Sequence, residues 1–217
     1  MKQPAGMSCI SRFNWRRTLI LPAMLALGLG LTACDQLGLS GSAKVAFQGV
    51  DLTGAEYARG LNLTDQDGHS RSLAEFKGKI PVVFFGYTQC PDVCPTTLAE
   101  LAEVKHSLGA DGEKVQGIFV TVDPERDTAA LLKAYVASFD PSFVALRGSE
   151  EQTKAVAKEF KIYFAKVAGK TPESYTMDHT AASFIFDKQG RVRVFSRYGS
   201  GATALANDIK LLLAEKN

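Results

Sequence analysis

At 217 residues the chain has the length of one domain with a full core. Its content of 46% hydrophobic and 22% charged residues is that of a soluble globular protein. A net charge of +2, with no basic stripe, excludes nucleic-acid binding as its role.

The first 33 residues read as an export signal rather than as part of the fold. Arg12, Arg16 and Arg17 precede an apolar run from Leu19 to Ala33, which ends in small residues. These 15 residues fall short of the roughly 20 that a membrane-spanning helix needs. Leu31-Thr32-Ala33-Cys34 resembles a bacterial lipobox. That resemblance implies cleavage before Cys34 and lipidation of its sulfur. Asp35 resembles the signal that keeps such lipoproteins in the inner membrane of two-membrane bacteria, with the domain facing the periplasm. Residues 34–46 then form a polar tether, and residues 47–217 the folded domain. Residues 1–33 hold four basic side chains and no acidic one, so removing them leaves 21 basic against 23 acidic, a net −2. Cys9 departs with the signal and Cys34 takes lipid. Only Cys90 and Cys94 remain, in a compartment where disulfides persist.

Within the domain, Asp65-Gln66-Asp67-Gly68 marks a hairpin turn between two strand-like pieces. The apolar run "IPVVFFGY" over 80–87 reads as a strand buried on both faces. A helix follows, with Pro95 at its first position and Leu98, Leu101, Val104 and Leu108 at helical spacing before Gly109. "VQGIFVTVD" is the next strand, and Asp127 is placed to cap the helix carrying Leu131, Leu132, Tyr135, Val136 and Phe139. "SFVALRG" is a strand, and Ser149 with Gln152 predicts a capping box for a helix running to Phe160. "KIYFAKV" extends as a strand, 168–179 reads as a polar loop, and "ASFIFD" with "RVRVFSR" flanks a second hairpin turn. A last helix carries Leu205, Ile209 and Leu212. This order predicts an α/β, thioredoxin-like fold with an added N-terminal β-hairpin and a late inserted hairpin or loop.

The chemistry centres on "QCPDVCP". If Cys94 caps the helix and Cys90 lies in the loop before it, both sulfurs sit at a helix N-terminus, whose partial positive charge lowers thiol pKa values. Thioredoxin-type oxidoreductases place two residues between their cysteines; here there are three, which leaves room for an ion. Two thiolates are few for zinc, whereas two thiolates and one imidazole suit copper. Three histidines are available. His69 falls in the hairpin turn and His106 on the polar side of a helix, both solvated positions. His179 stands just before the strand "AASFIF", in the loop that approaches the cysteine site of a thioredoxin fold. A proline normally occupies that loop, and none stands in "TMDHTAASF". Its ring is either a third ligand or a satisfied structural histidine.

"GYTQCPDVCPTTL", "VTVDPERDT" and "YTMDHTAASFIFD" together resemble the Sco/SenC family of copper chaperones, and the likeness extends over roughly residues 47–214. The resemblance implies copper binding by Cys90, Cys94 and His179, as Cu(I) with Cu(II) as a second state. It implies a role in assembling the CuA centre of cytochrome c oxidase subunit II, with other periplasmic copper chaperones or thiol reductases as further partners. Asp178 is a candidate acceptor for the other ring N–H of His179, or a loop aspartate facing water. Asp123 with Arg126 reads as a loop brace, and Met177 as a packing residue. The alternative function is thiol–disulfide reduction at Cys90 and Cys94, acting on the oxidase subunit or other exported proteins. A peroxidase would need groups stabilising a leaving oxygen, which the proline-flanked pair does not offer. A purely structural disulfide leaves the histidine unexplained.

Overall fold

The computed structural model describes residues 46–171 and 174–216. The expected signal, most of the expected tether, Cys9 and Cys34 lie outside the described residues.

The elements run β1 (Val50–Asp51), β2 (Asn62–Asp65), β3 (Ser70–Ser72), β4 (Ile80–Gly86), α1 (Val93–Ser107), β5 (Val115–Thr121), α2 (Ala129–Ala137), β6 (Val144–Arg147), α3 (Glu150–Glu159), β7 (Phe164–Val167), β8 (Thr176–His179), β9 (Ala182–Phe186), β10 (Val192–Arg197) and α4 (Gly201–Ala214). Eight strands form one sheet in the order β1-β10-β9-β4-β5-β6-β2-β3, and β7 and β8 form a separate two-stranded sheet. The pairs β4–β5 and β5–β6 are parallel, and β9 runs antiparallel to both β4 and β10. A parallel centre flanked by a late antiparallel hairpin, with the cysteine motif after the central strand, is the expected thioredoxin-like arrangement. The predicted N-terminal hairpin is β2–β3, joined to the sheet edge through β6.

Every residue of β4 and β5 is buried, as the continuous apolar runs predict for strands covered on both faces. The core between sheet and helices is aromatic: Phe85, Phe160 and Phe184 meet edge to face at centroid distances of 5.0–6.4 Å. The Ser149 and Gln152 capping box forms, and it starts α3 where the spacing predicts.

Three local expectations are corrected. Helix α1 begins at Val93, so Pro95 is its third residue and Cys94 lies inside the first turn rather than at the cap. Proline is still accommodated, because N–H groups of the first turn have no intrahelical acceptor. The cap of α2 is Thr128, whose hydroxyl accepts from the Leu131 N–H; Asp127 is turned inward. Residues 168–179 are not wholly loop, because Thr176–His179 pairs with β7.

Candidate metal centre

Sheet register brings the two halves of the site together. Strand β9 lies antiparallel to β4, with Phe84 opposite Ser183. Residues just before β9 therefore stand beside residues just after β4. The first group holds His179, the last residue of β8. The second holds the loop from Tyr87 to Asp92 and the start of α1, with Cys90 and Cys94.

Cys94 is fully buried and Cys90 is partly exposed. Both are free thiols. The Cys90 Sγ accepts the Cys94 N–H at 3.4 Å, and the Cys94 Sγ lies 3.5 Å from His179 Nε2. The two sulfurs and one imidazole nitrogen all fall within 4.8 Å of one another, the only such cluster of three or more His, Cys, Asp or Glu ligand atoms among the described residues. His69 and His106 are exposed and take no part in it.

The imidazole is oriented by its surroundings. Nδ1 lies 3.2 Å from the Thr180 carbonyl, which can only accept, so Nδ1 carries the proton and the Nε2 lone pair faces the sulfurs. Phe84 and Tyr87 pack against the ring edge to face, at 5.9 and 6.0 Å. Of the two alternatives for Asp178, the structure gives the aspartate facing water; the Nδ1 partner is the Thr180 carbonyl. The Asp178 side chain points outward because successive residues of a strand face opposite ways and His179 faces in. It acts on the imidazole only through its charge.

Burial sets the protonation states. It pushes the Cys94 thiol far above the ordinary thiol range, and the hydrogen bond with Cys90 adds to the rise. This reverses the lowering expected from the helix end. The helix dipole is worth about 2 kcal/mol at best, less than the desolvation of a thiolate in a closed apolar site. Burial lowers the His179 pKa, which the Thr180 contact only partly offsets. At neutral pH the imidazole is therefore uncharged, the form that coordinates metals. Thiol and imidazole in this geometry form a soft, preformed donor set with one partly exposed member.

Sequence reasoning missed two supporting residues. A Cβ on Gly86 would lie 2.7 Å from the Cys94 sulfur, so only glycine leaves that thiol its place. Asp127 is fully buried and accepts from the Thr88 N–H, the Thr88 hydroxyl and the Thr121 hydroxyl, which pins the start of the cysteine loop to β5. Burial raises its pKa, and these three donors oppose the rise. Nothing in the local pattern separates either residue from an ordinary strand glycine or helix cap. Met177 is buried in the core, as a packing residue should be. The Asp123–Arg126 brace forms, and it reaches further than expected.

A family model described as SCO1/SenC matches residues 51–214. A SCO2-like protein of Rickettsia felis is 36% identical over 132 residues, which are 60% of this chain and 64% of that one; the match thus spans less than two thirds of the relative's length. The structure of Bradyrhizobium japonicum ScoI with copper bound is similar at 42% identity and a TM-score of 0.64, covering 70% of this chain and 96% of that one. A SCO1/SenC family lipoprotein from Bacillus anthracis is similar at 27% identity and a TM-score of 0.61, covering 70% and 92%. With the matched region taking in both cysteines, the late histidine and strands β2 to β10, the chain belongs to the SCO1/SenC family.

Proposed function

We propose that the protein is a copper metallochaperone that holds its cargo between Cys90, Cys94 and His179 and passes it on during assembly of the CuA site of cytochrome c oxidase subunit II. The observation that carries this reading is the convergence of two thiol sulfurs and one imidazole nitrogen within 4.8 Å. The donor set is soft and selects Cu(I); the imidazole lets Cu(II) be held as well. Coordination displaces the Cys94 proton, and the neutral imidazole has none to lose at Nε2. Cys90, partly exposed, is the ligand through which an incoming thiolate of the acceptor protein begins exchange.

Residues 1–33 serve as a lipoprotein signal, Cys34 as the lipid-bearing residue, and residues 34–46 as the tether that lets the domain reach its partner from the inner membrane. The lipobox-like "LTAC" and the lipoprotein relative support this arrangement. No described helix is long and apolar enough to cross a membrane. Other exported copper carriers or thiol reductases would load the site or keep the dithiol reduced.

The two free sulfurs also suit a thiol reductant, and one variant separates the readings. His179→Ala removes a metal ligand but neither sulfur. Cu(I) affinity should fall at least about 10-fold, the usual effect of losing even an outer partner of a ligand. The dithiol potential should move by less than about 30 mV, a tenfold change in its equilibrium. Copper binding equal to wild type, with X-ray absorption showing the same ligands, would leave only the redox reading.

A further inference from the structure

Among the described residues, the strand that carries His179 makes no ladder with the main sheet. Strands β7 and β8 pair with each other as a separate two-stranded sheet. The β4–β9 register brings His179 near the cysteine loop, but β8 itself needs a further hold to keep the imidazole against the sulfurs.

Arg126, in the loop between β5 and α2, touches both ligand-bearing segments. Its Nη1 donates to Gln89 Oε1 at 3.1 Å, one residue before Cys90. The same nitrogen donates to the Tyr175 carbonyl at 2.9 Å, just before β8. Its Nε is paired with Asp123, whose other oxygen accepts the Tyr175 hydroxyl at 2.8 Å. The guanidinium carbon lies 3.5 Å from the centre of the Tyr175 ring and 5.7 Å from that of Tyr87. Tyr87 in turn packs against His179 and is hydrogen-bonded to the Met177 backbone. The Arg126 side chain is only 15% exposed, and its Nη2 is buried without a partner. Its position is thus set by these contacts and not by satisfying all five of its donors.

We propose that Arg126 is a positioning residue for the metal centre: it locks the His179 strand in register with the cysteine loop, so that the imidazole and both sulfurs share one ion. This rests on the copper-binding reading above. A planar fork that reaches three acceptors in fixed directions can do this, whereas the single ammonium of lysine cannot. A brace that served only the loop would need the Asp123 pair and no contact with Gln89 or Tyr175.

The test uses the full chain in detergent micelles and a chromophoric Cu(I) chelator as competitor. Arg126→Lys and Gln89→Ala are each made alone and together with His179→Ala. Arg126→Lys keeps the charge beside Asp123 and should weaken Cu(I) binding about 10-fold. X-ray absorption should show the nitrogen ligand lost. Adding His179→Ala to Arg126→Lys should then change little, because the imidazole has already left the ion. Gln89→Ala alters an exposed side chain and spares the fold; it should shift affinity in the same direction by less. Strictly additive losses for Arg126→Lys and His179→Ala would overturn the inference. So would tight binding by Arg126→Lys with the imidazole in place while His179→Ala is weakened. Unchanged binding by His179→Ala alone would overturn the copper site itself and this inference with it.

Discussion

The Cys94 sulfur occupies space that any side chain at position 86 would fill. A Cβ there would stand 2.7 Å from the sulfur, 2.9 Å from Phe119 and 3.0 Å from Phe84, all inside normal contact. Gly86→Ala must push the thiol or an aromatic ring aside, at about 1–3 kcal/mol of overpacking. Urea unfolding should show that loss, and copper affinity should drop with it because the displaced atom is a proposed ligand; an unchanged affinity would mean that the sulfur has slack. The three side chains that converge are legible in "QCPDVCP" and in a histidine placed before a strand. Gly86 is not, because a glycine at the end of a buried run looks the same whether or not a sulfur lies beyond it. The thiol's acid strength escapes the sequence for a related reason. The helix end is visible in the sequence, whereas full burial of Cys94 depends on what packs over it.

Thr128 and Asp127 adjoin at the start of α2 and serve different elements. Thr128 caps the helix, so Thr128→Ala should cost about 1 kcal/mol of stability and leave copper binding as it was. Asp127 instead ties the cysteine loop to β5. Asp127→Ala would strand the Thr88 N–H and two hydroxyls, at about 1–3 kcal/mol for the buried donors. Freed at Thr88, the loop should also expose Cys90 to faster alkylation, a change that Thr128→Ala must not produce. Pattern alone favoured Asp127 as the cap, since aspartate and threonine are both good caps; burial decided between them. Elements that carry their own signal are legible: the unbroken apolar run of β4, the Ser149–Gln152 box, the Asp65–Gly68 turn and the hairpin turn between β9 and β10. Strand β8 has no such signal. "TMDH" becomes a strand only because Phe164–Val167 lies beside it, and that pairing belongs to the tertiary structure.

Burial of the site makes the metal-free protein sensitive to pH on both sides of neutrality. The Cys94 thiol pKa is raised on folding, so the unfolded chain gives up that proton first. The stability this contributes is complete below the ordinary thiol value of about 8.5 and drains away as pH rises above it. His179 is shifted the other way. Its pKa is lowered on folding, so the unfolded chain gains that proton first, and stability falls as pH drops through about 6.5. Copper-free protein should therefore show a plateau in its urea midpoint between those limits and a decline outside them. Cys94→Ala should flatten the alkaline decline and His179→Ala the acidic one, each leaving the other limb in place. Copper loading obeys the same protons. Because the Cys94 thiol stays protonated at neutral pH, binding must expel that proton, and apparent Cu(I) affinity should rise about tenfold per pH unit for each proton released. In Cys94→Ala that proton no longer exists, so the pH slope of copper binding should become shallower; an unaltered slope would show that the buried thiol is not the one being deprotonated.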